Sequence, residues 1–213
     1  SPPVVTFAMS DGTAANNPII GFNYTNKPTT TNVASLANLR FSLAKLVPGK
    51  DGNQSKWVNY IVTTVPTLNA DGSVKVASVP TTPTTDQYGT LVDNKNGTYT
   101  YTFGRDIKAI KAQVAAASLT APKVASDLGD LTFEPNLTHR LTIQVSGNAR
   151  GTGTNTADGT AAKAADGTAI AAVAMANPLN VVYDFIPATG KPVAASDFQR
   201  EIVSKTVCNE CHE

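Results

Sequence analysis

The stretch VDNKNGTYTYTFG (92–104) sets the fold class. Asn96-Gly97 is a turn pair, because Asn and Gly tolerate the positive φ that tight hairpin turns require. Beyond it Thr98, Thr100 and Thr102 alternate with Tyr99, Tyr101 and Phe103. A period of two places these sets on opposite faces of a strand. The aromatic set has the larger apolar area to bury, so it is expected to face the core.

Outward from this hairpin the chain reads as further strands separated by turns. VVTFAM (4–9) is followed by a turn-rich loop, then by IIGFNY (19–24) with Ile20, Phe22 and Tyr24 on one face. LRFSLAKL (39–46) alternates with Leu39, Phe41 and Leu43 on one side and Arg40 and Ser42 on the other. KWVNYIVTTV (56–65) holds the only Trp and reads as a long strand, and SVKVASV (73–79) follows an NADG turn. THRLTIQVSG (138–147) and NVVYDFIP (180–187) complete the set. About eight short strands with turns between them imply an all-β fold, a Greek-key split barrel or a sandwich, over residues 1–190.

Two segments break the pattern. RDIKAIKAQVAAAS (105–118) is rich in helix formers and is expected to be a short helix. Residues 148–177 are rich in Ala, Gly, Thr and Asp and carry a near-repeat, ADGTAAKA then ADGTAIAA (157–172). Asp-Gly marks turns, so this is expected to be a long surface excursion. A calcium loop is the other reading of Asp-Gly repeats, but it needs several oxygen ligands at fixed spacing, which two aspartates do not supply.

Composition narrows the function classes. Of 213 residues 41% are hydrophobic and only 15% charged, with net charge +1 and no basic cluster, so nucleic-acid binding is not expected. No run approaches the ~20 apolar residues of a membrane helix, and no signal peptide opens this sequence, so an exported protein is expected to have had its leader removed or left out. With two histidines and dispersed carboxylates there is no catalytic set, so a self-contained enzyme has little support. Asn23, Asn53, Asn96 and Asn136 fall in N-x-Ser/Thr sequons, which arise by chance in a Thr-rich chain.

Chemistry concentrates at the end. After Pro192 the composition shifts, and Ile202, Val203 and Val207 lie at helical spacing behind a possible N-cap at Ser196 or Asp197. A short helix is therefore expected to run into VCNECHE, and 191–213 is expected to be a linker and the opening of a second domain. Cys208-Asn209-Glu210-Cys211-His212 is the Cys-x-x-Cys-His sequence of c-type haem attachment. Two thiols three residues apart reach the two vinyl groups on one edge of a porphyrin, and the adjacent imidazole lies under the iron. Cys208 and Cys211 are thus the expected thioether anchors and His212 the expected axial ligand of the haem iron. A redox-active dithiol, half a zinc site and an accidental match remain open from the residues alone. His139, the only other histidine, is expected to be an ordinary strand side chain on a polar face, with any second axial ligand lying beyond residue 213.

NKNGTYTYTF, THRLTIQVSG, VVYDFIP and REIVSKTVCNECH occur here in that order. Together they resemble the N-terminal part of the outer-membrane decahaem c-type cytochromes of metal-reducing bacteria, the OmcA/MtrC type, over most of the chain. The block ending in Cys-x-x-Cys-His is the most specific part. The resemblance implies a split-barrel β-domain followed by the opening of a multihaem domain, in a cell-surface protein, lipid-anchored in many cases. That protein would pass electrons to metal oxides, metal ions or flavins. Its implied partners are other multihaem cytochromes or an outer-membrane porin–cytochrome complex. Haem c is the implied cofactor of the full-length, exported and matured protein, and the fragment is expected to lack haem when made in the cytoplasm. The further haem motifs of the family are absent, so the chain is expected to stop where the haem-bearing part begins. The competing reading is an immunoglobulin-like cell-surface binding module with no redox role.

Overall fold

A computed structural model describes residues 2–29, 33–63, 67–68, 74–75, 82–117 and 127–200. The elements are β1 (Val4–Ala8), β2 (Thr25–Asn26), β3 (Ser35–Leu36), β4 (Leu39–Val47), β5 (Lys56–Asn59), β6 (Thr67–Leu68), β7 (Val74–Lys75), β8 (Thr90–Asp93), β9 (Thr98–Thr102), α1 (Ile110–Ala116), β10 (His139–Val145), β11 (Leu179–Ile186) and β12 (Lys191–Pro192). Every pairing among them is antiparallel. The two main sheets run β1-β9-β8 and β12-β11-β10-β4-β5, and the pairs β2-β3 and β6-β7 stand apart.

The hairpin forms as its sequence dictates. Asp93 faces Tyr99 across the turn, and Lys95 and Gly97 take the positive φ that the loop needs. Tyr99, Tyr101 and Phe103 are buried, and the threonines between them point the other way. The aromatic face meets the inner face of β4, where Phe41 stacks on Tyr101 with ring centroids 3.8 Å apart. Leu39, Leu43, Leu141, Ile143 and Val145 complete the core between the two sheets.

Beside that core, Ile110 and Val114 lie one helical turn apart on α1 and pack against Val58, Val62 and Leu131. The helix is shorter than the expected 105–118 because its first residues are used otherwise. Buried Arg105 donates to the Val62 carbonyl, and Asp106 accepts the Lys108 amide at 3.0 Å, which holds a turn in place of a helical start. The last expected residue, 118, lies outside the described residues.

Two strand expectations need correction. IIGFNY (19–24) forms no strand. Asp93 takes the Gly21 amide at 2.6 Å, and the Tyr99 hydroxyl donates to the Ile19 carbonyl at 2.9 Å, so side chains replace a ladder. Ile20 is exposed while Phe22 packs against the core. The strand expected at 56–65 ends at Asn59, whose side chain accepts the Ile61 amide and donates to the Thr84 carbonyl, while residues 64–65 lie outside the described residues. Of the strand expected at 73–79, Val74–Lys75 is strand, and 73 and 76–79 lie outside the described residues.

Residues 148–177 are the expected excursion between β10 and β11, built from tight turns. It is pinned to the body by Asn155, whose amide donates to the Asn38 side chain at 3.1 Å, the Asn148 carbonyl at 2.7 Å and the Tyr24 hydroxyl at 3.0 Å. No helix among the described residues is long and apolar enough to cross a membrane.

Candidate functional site

Cys208, Cys211 and His212 lie outside the described residues, as does most of the helix expected to lead into them. What is described is the lead-in, and it is fastened to the β-body. Lys191 and Pro192 pair with Ile186 and Phe185, and the Val193 amide donates to the Asp184 carbonyl at 3.1 Å. Thr138, buried at the start of β10, donates its hydroxyl to the Phe198 carbonyl at 2.6 Å. Arg200 donates to the Gln54 side chain at 3.1 Å. The chain therefore leaves the sheet at a fixed point beside β10. Seven residues lie between Arg200 and Cys208, eight steps along the chain and a reach of at most ~28 Å.

The helix does not begin at Ser196 or Asp197. The Asp197 carboxylate accepts the Ala194 amide at 2.6 Å, and its own amide donates to the Ala194 carbonyl at 3.0 Å. That reciprocal pair closes a turn pointing back along the chain, so the carboxylate is not available to cap forward.

His139 corrects another expectation. It sits on the buried face of β10, opposite Arg140, and is 0% exposed. Its Nδ1 lies 2.8 Å from the Leu137 carbonyl, which fixes the proton on that nitrogen. Its Nε2 then accepts the Tyr60 hydroxyl at 3.1 Å. The ring stacks on Tyr60 and packs edge-on against Phe133. With both nitrogens engaged inside the core, His139 is not placed to ligate a haem iron. Its parity with Leu141 and Ile143 carried this message in the sequence.

A second buried ionisable group went unread. Lys45 continues the inner row of Leu39, Phe41 and Leu43 and is buried directly across from His139. Its ammonium pairs with the Glu134 carboxylate and donates to the Thr132 carbonyl at 2.5 Å. Burial lowers the His139 pKa, and the Lys45 charge lowers it further. Burial pushes the Tyr60 hydroxyl far up. The imidazole is thus a neutral structural acceptor.

No group of three or more His, Cys, Asp or Glu among the described residues could hold a metal ion. In the 157–172 repeat each aspartate serves its own turn. Asp158 accepts the Thr160 amide at 3.0 Å and Asp166 the Thr168 amide at 2.9 Å.

No family profile matches the chain. Over 214 residues it is 27% identical to the multiheme cytochrome MtrC of Shewanella baltica strain OS185, covering 99% of this chain and 24% of that protein. The crystal structure of MtrC from the same strain matches with a TM-score of 0.47 at 23% identity, over 99% of this chain and 23% of that one. The crystal structure of the outer membrane decaheme cytochrome OmcA matches with a TM-score of 0.45 at 21% identity, over 99% and 24%. The chain spans about a quarter of the length of each of these relatives.

Proposed function

We propose that this chain, 27% identical over nearly its whole length to the multiheme cytochrome MtrC, is the first β-domain of a cell-surface multihaem c-type cytochrome, carried up to its first haem-attachment motif. The observation that carries the proposal is Cys208-x-x-Cys211-His212 in a chain so related. The donor set fits haem c. Two thiols at this spacing form the thioethers, and the neighbouring imidazole is an axial nitrogen. Bound haem supplies a one-electron iron couple. His139 would not supply a second axial ligand, since it is sealed in the core with both ring nitrogens engaged.

The β-domain, a Greek-key split barrel over about residues 1–190, acts by holding and shielding. The anchored stretch 191–200 supports this role, because it fixes where the haem-bearing polypeptide departs. The exported protein sits at the outer face of the bacterial outer membrane. It takes electrons from other multihaem cytochromes or an outer-membrane porin–cytochrome complex, and delivers them to minerals, metal ions or flavins.

The test is maturation. Produced with a signal peptide alongside cytochrome c maturation machinery, the chain is expected to gain the mass of one haem and a c-type pyridine haemochrome band. Cys208→Ala with Cys211→Ala abolishes the gain. Cytoplasmic production gives haem-free protein. If the exported chain stays haem-free while a control cytochrome in the same cells is matured, the proposal is lost.

A further inference from the structure

One turn recurs in this chain with a single chemical difference. Asp-Gly-Thr stands at 11–13, 158–160 and 166–168, and Asn-Gly-Thr at 96–98. Each glycine takes a positive φ. In each turn the threonine amide donates to the side-chain oxygen two residues back, at 3.0 Å for Asp11, Asn96 and Asp158 and 2.9 Å for Asp166. At Asn96 the Thr98 hydroxyl donates to the same oxygen at 2.6 Å. Asn96 is exposed, and with Gly97, Met9, Ser10, Asn16 and Pro18 it lines a cavity of about 210 Å³ that admits water. It is the only Asn followed by Gly in the sequence.

We propose that Asn96 is a self-modifying site, which deamidates through a cyclic imide while the three aspartates in the same turn stay unchanged. The Gly97 amide nitrogen gives its proton to solvent and bonds to the Asn96 Cγ. Glycine carries no side chain to hinder that approach. Charge develops on Oδ1, where the Thr98 amide and hydroxyl already point, so the turn is an oxyanion hole for its own first residue. The Cγ–Nδ2 bond breaks, and ammonia leaves after taking up a proton from solvent. Water then opens the imide at either carbonyl, giving aspartate or isoaspartate. The same donors have the opposite effect on an aspartate. A carboxylate already carries the charge, so only its protonated form accepts a nucleophile. Hydrogen bonds from Asn17 and Thr13 at Asp11, from Thr160 at Asp158 and from Thr168 at Asp166 hold each carboxyl below its ordinary pKa.

The product alters the hairpin. Isoaspartate carries the main chain through the side chain and so adds a methylene between residues 96 and 97. The Gly97 carbonyl accepts the Met9 amide at 2.8 Å, and Pro18 packs so close that a Cβ on Gly97 would stand 2.5 Å from the proline Cβ. A lengthened backbone has no room there, so conversion loosens the Met9 tie that seats the end of β1 against the hairpin.

Incubation of the purified chain at mildly alkaline pH, followed by peptide mapping for mass and for isoaspartate, tests the proposal. Asn96 is expected to gain the mass of an amide exchanged for a carboxyl, faster at higher pH and faster in the folded chain than in urea. Thr98→Val keeps the amide donor and removes the hydroxyl, and is expected to slow conversion at least about fivefold. Asn96→Asp, like the three natural aspartates, is expected to form no isoaspartate over the same period. In converted protein the Met9 amide hydrogen exchanges faster than in fresh protein. Conversion in urea as fast as in the fold, or faster, overturns the proposal, and that comparison needs no variant to fold. So does a Thr98→Val chain that converts at the parent rate or above it, or isoaspartate arising equally at Asp11, Asp158 or Asp166.

Discussion

Phe41 and Tyr101 lie nearly parallel, 8° between ring planes, at the centre of the molecule. The Tyr101 hydroxyl accepts the Gly89 amide at 3.0 Å, so the buried phenol is satisfied. Glycine is required at 89, because a Cβ there would stand 2.1 Å from the Thr102 carbonyl oxygen and 2.7 Å from the Tyr101 ring. Tyr101→Ala removes the ring, leaves a cavity and orphans an amide. It is expected to lower unfolding free energy by about 3 kcal/mol or more, read from urea midpoints; a loss of a few tenths would put this ring outside the core. His139 makes a second prediction. Its pKa is lowered in the fold, so the native state binds fewer protons than the unfolded chain. Its contribution is complete above the unfolded value near 6.5 and is lost as pH falls below it. The lowered carboxylates, such as Asp93, held down by the Gly21 and Lys95 amides, weaken the fold only at more acid pH. Between about pH 6.5 and 5 the parent should therefore lose stability more steeply than His139→Gln. Lys45→Met should flatten the same slope, since it removes the charge that disfavours the imidazolium. Equal slopes in all three proteins would show that His139 does not titrate on unfolding.

Elements were legible where one face is buried and the partner is another strand. β4, β9 and β10 fall where alternation put them, because a buried face demands a strict period of two. IIGFNY alternates equally well, but its backbone bonds are taken by Asp93 and Tyr99, side chains more than seventy residues away. No local pattern reports such a partner. The same holds for Asn155, read only as part of a polar excursion yet buried and joined to Tyr24, Asn38 and Asn148. Asn155→Ala should take one of two donors from the Asn38 side-chain oxygen and one of two from the Asn148 carbonyl, which keep the Tyr24 hydroxyl and the Asn38 amide. The loss of the Asn155 amide bonds is expected to destabilise the fold by about 1–2 kcal/mol, at about 0.5–1.5 kcal/mol for each net hydrogen bond. The Asp-Gly turns of 157–172 should become cleavable by protease at a concentration that spares the parent. Undiminished resistance would show that the excursion holds itself together without this tie.

At the scale of the molecule, parity gave faces but not layers. Nothing in the spacing of β4 and β10 announces that strands about a hundred residues apart lie side by side, or that β1 joins β9 rather than β11. Cys208-x-x-Cys211-His212 was legible as a candidate site because three reactive side chains at fixed spacing have few other uses, and it lies outside the described residues. Where the β-domain ends was harder to read, since the composition shift near residue 191 marks a change in sequence and the sheet continues past it. Lys191 and Pro192 still pair with β11, and Phe198 is bonded to Thr138 at the mouth of β10. A chain ended at Arg200 should accordingly melt as one cooperative β-type unit. One ended at Gly190 loses β12 and the Thr138 bond, a few hydrogen bonds at about 1 kcal/mol each. Its stability should fall by about 2 kcal/mol and its midpoint by about 4–8 °C. Thermal unfolding of the two chains followed by far-UV circular dichroism decides the matter. Identical midpoints would mean that residues 191–200 rest on the domain without stabilising it, and that the fold is complete at Gly190.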